Sequence, residues 1–171
     1  MEQLQVGVLL VLGREDAREV FEAARTDRVA ESVDGLLSRL EESGRVEEVG
    51  TGWALLHATL VAAGGNSEEV SFTLSQCLLG GRALGGEETK TIAKFVRPDL
   101  VLHVARELKA LERDTFLSAW QEVLAEQKPE LPAHAVEIEP WQRIKQIRGV
   151  YQLAGEQREA VLFMAVCRDA G

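Results

Sequence analysis

Cysteine is scarce in this chain. Its 171 residues contain two, Cys77 and Cys167, with no CxxC pair and no His/Cys cluster. That scarcity excludes a disulfide framework and a zinc-finger-like site. Both cysteines lie in apolar runs ("LSQCLL" and "FMAVC"), which reads as two buried free thiols in a reducing compartment. Histidine is nearly as scarce. His57, His103 and His134 form no HxxxH or HExxH pair, so no metal site is expected. No GxSxG nucleophile elbow is present, and neither cysteine has a histidine nearby in the sequence. No catalytic residue and no cofactor is therefore assigned. The N-terminal stretch "MEQLQVGVLLVLGRED" lacks a basic n-region, and its apolar run is too short for a membrane span. The expected location is cytoplasmic, with no membrane contact.

Positive charge is also in deficit. Nineteen Lys and Arg face twenty-eight Asp and Glu, for a formal net charge of -9. An acidic surface repels a phosphate backbone, which argues against general nucleic-acid binding. The same surface suits docking onto a basic protein partner. Apolar residues make up 46% and charged residues 27%, as in an ordinary globular domain. The length suits one domain over residues 1–171, large enough to bury a core without staples.

"LQVGVLLVL" (residues 4–12) and "AVLFMAVC" (160–167) are continuous apolar runs and predict buried strands from opposite ends of the chain. Helical periodicity runs between them. "REDAREVFEAAR" has acids in its first turn. "VAESVDGLLSRLEESG" carries an apolar stripe and a glycine, Gly44, at the C′ position. Thr51 is the expected cap of "GWALLHATLVAA", in which Trp53 and His57 are neighbours one turn apart. "EEVSFTLSQCLLGG" fits a short strand from Val70 or a helix capped by Ser67; we favour a helix over 73–79. "TIAKFV" alternates as a strand. Pro98 and Pro140 open two further helices, the second ending near Gly155, and Asp114 is placed to cap the helix between them. "KPELPAH" is a loop. The expected fold is α+β: one small sheet including the N- and C-terminal strands, covered by about five or six helices.

The stretch "LLGGRALGGEETK" has the look of a phosphate loop. A P-loop needs Lys-Ser/Thr after its last glycine, where both frames here place Gly86-Glu87 or Glu87-Glu88. GxGxxG is absent too. The stretch reads as a turn and connecting loop, with Arg82 and Lys90 as its cations. The residues that remain for a cleft are Trp53, His57, Gly80, Gly81, Arg82 and Arg97.

The order "GWALLHATL", "LSQCLLGG", "AKFVRPDLVLHVARELKAL" and "AVLFMAV" resembles the YfbM-like family of small bacterial proteins, a domain of unknown function. The match rests on Trp53, Leu56 and His57, on Leu79 and Gly80, on the helix Val101 to Leu111 and on the terminal strand. The resemblance implies an α+β fold and no established activity. Two readings of function follow. One is a soluble, non-enzymatic protein-interaction module, in its sharper form an acidic immunity-type protein that neutralises a basic toxin. The other is a small-molecule-binding protein or enzyme with a cleft lined by Trp53 and His57, helped by Arg82 or Arg97.

Overall fold

Leu4–Leu12 (β1) and Ala160–Arg168 (β5) pair along their whole lengths, antiparallel, from Leu4 opposite Arg168 to Leu12 opposite Ala160. This computed structural model describes residues 4–85, 91–127 and 139–168. The loop reading of "KPELPAH" and the cation Lys90 fall outside the described residues. Between the terminal strands the chain forms α1 (Arg14–Ala24), α2 (Val29–Glu42), β2 (Val46–Gly50), α3 (Trp53–Ala63), α4 (Glu68–Ser75), β3 (Arg82–Ala83), β4 (Ile92–Val96), α5 (Pro98–Ala110), α6 (Arg113–Gln127) and α7 (Pro140–Gln157). The sheet order is β2-β1-β5-β4-β3, and every neighbouring pair is antiparallel. The fold is α+β, with seven helices among the described residues rather than five or six.

The continuous apolar runs are explained by cover on both faces of the sheet. Leu9, Val11, Val161 and Phe163 point to one side, where they meet Leu56 and Leu60 of α3, Val104 and Leu108 of α5, Phe116 of α6 and Tyr151 of α7. Val8, Leu10, Leu12, Leu162 and Met164 point to the other, against Val20 of α1 and Val33, Leu36 and Leu40 of α2. Successive strand residues face opposite sides, so both parities must be apolar. The terminal strands therefore lack the polar alternation of a half-solvated sheet.

Several local expectations are corrected. Helix α4 begins at Glu68, with the Ser67 hydroxyl accepting from Val70 N at 3.3 Å, and ends at Ser75. The serine-capped reading is the right one, and residues 76–79 continue as turns. Helix α3 is capped by Gly52 with no side-chain bond, not by Thr51. Asp114 lies inside the first turn of α6 rather than before it. Helix α7 runs past Gly155 to Gln157 and closes on Arg158, in the left-handed region at φ 55°. Two strands went unpredicted. "VEEVG" forms the edge strand β2, where two glutamates hide the apolar pattern and discourage further pairing. Arg82–Ala83 form a two-residue strand beside β4.

Candidate functional site

Trp53 opens α3 and lies across β1. Its indole Nε1 donates to Gln5 O at 3.2 Å, and its ring packs 5.6 Å from that of Phe163. Gly7 makes room for it: a Cβ there would stand 3.0 Å from Trp53 Cβ and 2.9 Å from Phe163 Cε2. A β1–β2 register irregularity falls at the same point, between Gly7 and Val8. His57, one turn on, is half-buried. Its Nδ1 is sealed from solvent without a hydrogen-bond partner among the described residues, and burial lowers the pKa of the ring below the ordinary 6.5. A neutral imidazole is the consequence.

Gly80 and Gly81 are required by close backbone approach. Gly80 N donates to Ser75 O at 2.8 Å, and a Cβ on Gly80 would come within 2.5 Å of that same oxygen. A Cβ on Gly81 would come within 2.9 Å of Phe95 O. Arg82 is exposed and stacks its guanidinium 5.5 Å from the centroid of Phe21, whose ring meets Phe95 edge-on at 4.6 Å. Phe21 and Phe95 belong to the α1–α2 side of the sheet, whereas Trp53 packs on the α3–α7 side. Arg97 is exposed before α5 and pairs with Asp99 at 3.3 Å. The structure thus joins Trp53 and His57 along one helix but does not bring Arg82 to them across the sheet. None of the four cavities described for the chain is lined by Trp53 or His57.

The most enclosed of these cavities lies between α2 and the sheet. It measures about 360 Å³. Val8 and Leu10 of β1 and Met164 and Val166 of β5 form its floor, alternate residues on one sheet face. Asp34 and Glu41 of α2, two turns apart, stand on one rim, with Glu48 of β2 also lining the groove. Among the described residues no Lys, Arg or His lines it. Cys167 lies at this groove and is exposed, against the expectation that both cysteines are buried. Cys77 is buried as expected, and burial pushes its thiol pKa well up.

An apolar floor with anionic walls holds aliphatic stems of cationic groups, whose heads donate to the carboxylates. Sequence reasoning missed this groove because its residues come from four separate elements. The available signal was weak: Asp34, Leu37 and Glu41 share one face of α2, and Glu47-Glu48 interrupt β2. Among the described residues no three His, Cys, Asp or Glu side chains group to hold a metal ion. No helix there is long and apolar enough to cross a membrane.

The sandwich of one antiparallel sheet between two helices and five places the chain in a class recognised by fold rather than chemistry. It belongs to the family described as Domain of unknown function (DUF1877), whose model matches residues 6–164. Among solved structures it is similar to the crystal structure of YfbM from Escherichia coli, a protein of unknown function. That match has 17% identity and a TM-score of 0.65, covering 94% of this chain and 99% of that one. At such identity the likeness shows the fold alone. No curated protein matches the chain.

Proposed function

We propose that this chain is a non-enzymatic binding module whose α2–sheet groove takes a basic segment of a partner protein. The carrying observation is the groove itself: about 360 Å³, apolar below, with Asp34, Glu41 and Glu48 around it and no cation among the described residues that line it. The net charge of -9 acts in the same direction, steering a basic partner toward the surface before contact. A lysine- or arginine-flanked apolar side chain fits such a site, the apolar part on Met164 and the cations on the rim. Where the basic partner is a toxin, the module acts as an immunity protein.

The test uses two synthetic amphipathic peptides, one of Leu and Lys and one of Leu and Glu, titrated calorimetrically into the purified chain. The basic peptide binds and the acidic one does not. Affinity falls as salt shortens the Debye length below about 8 Å. Asp34→Lys with Glu41→Lys weakens binding about tenfold or more. Equal binding of the two peptides, or an unchanged affinity in the double variant, refutes the reading.

A further inference from the structure

A second surface has the opposite character. Leu102, Ala105, Arg106 and Lys109 occupy one face of α5, and Arg148, Gln152, Gly155 and Glu156 face them from α7, enclosing about 570 Å³. At Gly155 the helices are close: a Cβ there would stand in ordinary contact, 3.6 Å from Leu102 Cδ2 and 3.8 Å from Ala105 Cβ. Leu102, 47% exposed, offers an apolar side chain to solvent here. Three cations and one carboxylate line the groove, in a chain whose overall charge is -9. Arg148 is committed, donating to Leu108 O and Leu111 O at 2.9 Å and lying 5.1 Å from the Trp141 ring centroid. Gln152 holds Glu156 at 3.2 Å. Arg106 and Lys109 make no ion pair among the described residues.

The complement of this groove is on the same molecule. Phe72 on α4 is 62% exposed, and Val61 on α3 is 37% exposed; with Leu102 they are the large apolar side chains left in solvent among the described residues. The Ser71 hydroxyl donates to Val61 O at 2.9 Å, so Phe72 and Val61 share the α3–α4 corner. Glu68 and Glu69, both exposed, precede Phe72 by four and three residues and so stand on its side of the helix. The corner is an apolar knob with acids. The groove is an apolar trough with bases. Helix α4 packs against α5, so knob and trough lie on adjoining parts of the surface.

We propose that two copies of this chain form a two-fold dimer in which the Phe72 corner of each seats in the α5–α7 groove of the other. Phe72 meets Leu102, Ala105 and Gly155; Glu68 and Glu69 meet Arg106 and Lys109. Because each copy carries both halves, a two-fold axis makes the contact twice and closes the assembly, with no free end for a fibre to grow. This surface lies apart from the acidic groove, and the two proposals stand or fall separately.

Sedimentation equilibrium tests it. The wild type associates reversibly to a dimer as concentration rises. Phe72→Glu and Leu102→Glu, both at exposed positions, each leave a monomer whose far-UV circular dichroism is that of the wild type. Two charge-reversed variants, E68R/E69R and R106E/K109E, are monomers alone. Mixed, they form a heterodimer, since each then presents a complementary knob and trough at both contacts. A wild type that stays monomeric to about 1 mM overturns the proposal. So does an unchanged dissociation constant in F72E or L102E, or a mixture of the charge-reversed pair that remains monomeric. A dimer that survives all four changes uses another surface and equally overturns it.

Discussion

Replacing Gly7 with alanine tests the account of Trp53. The new methyl meets Phe163 Cε2 at 2.9 Å, Trp53 Cβ at 3.0 Å and Trp53 Cδ1 at 3.1 Å. Two of those atoms belong to rings wedged between sheet and helix, and the third is fixed to the start of α3. None is the free end of a flexible chain. Overpacking of this kind costs about 1–3 kcal/mol. Alanine offsets about 0.5–1 kcal/mol of this, because glycine in a strand loses more freedom on folding. The net loss is up to about 2.5 kcal/mol, which for a domain of this length lowers Tm by up to about 10 °C. Thermal and urea unfolding followed by tryptophan fluorescence read it. Trp53→Ala removes the ring that resists the methyl, so Gly7→Ala costs less in that background, with a coupling of about 1 kcal/mol. Gly7→Ala melting at or above the wild type refutes the wedge. So does strict additivity with Trp53→Ala.

The buried hydroxyl of Tyr151 donates to Cys77 O at 2.7 Å, so Tyr151→Phe strands that carbonyl and lowers unfolding free energy by about 1–3 kcal/mol in urea titration. Gly80→Ala drives a methyl against Ser75 O and costs about 1–3 kcal/mol by the same measurement; a neutral result shows that the turn relaxes freely. A thiol reagent titrates one cysteine in the native protein, Cys167, and two after denaturation, because Cys77 is buried with its thiol pKa raised. His57 has a folded pKa below 6.5, lowered by burial, so the unfolded chain binds its proton more readily. Its contribution is complete above pH 6.5 and is lost as pH falls from there toward the folded value. His57→Leu removes that part of the acid sensitivity, and an identical pH–stability profile in the variant refutes it.

The long runs 4–12 and 160–167 were legible as strands because both sheet faces are covered, which leaves no polar residue to break the signal. The openings of α5 and α7 were legible because Pro98 and Pro140 each stand in the first turn, where a missing N–H costs nothing. Ambiguity entered where local preferences conflict. Val70, Phe72 and Thr73 favour a strand, while Ser67 with Glu68 and Glu69 favours a helix start. The serine bond to Val70 N, together with packing of Leu74 and Val70 into the α3–α7 core, decides for the helix. Strand β2 was hidden because an edge strand needs only one buried stretch, here Val49 and Gly50, and its glutamates serve to repel rather than to pack.

Site reasoning worked on a different basis. It selected residues by chemical type: an imidazole beside an indole, an arginine among glycines. In the structure the indole, the glycines and the arginine each have a packing explanation. The indole of Trp53 fills the space that Gly7 leaves; the glycines at 80 and 81 let backbones touch; Arg82 lies over Phe21. The two grooves, one with acids and the other mainly with bases over an apolar floor, are built from ordinary residues, none unusual in its own segment. Asp34 and Glu41 gain meaning only when Met164, far along the chain, is laid beneath them by the β1–β5 register. Arg106 and Lys109 gain theirs only when α7 is laid beside Leu102. Where a site is built from surface and charge rather than from a reactive group, long-range pairing creates it. A single sequence scanned for reactive groups passes over it.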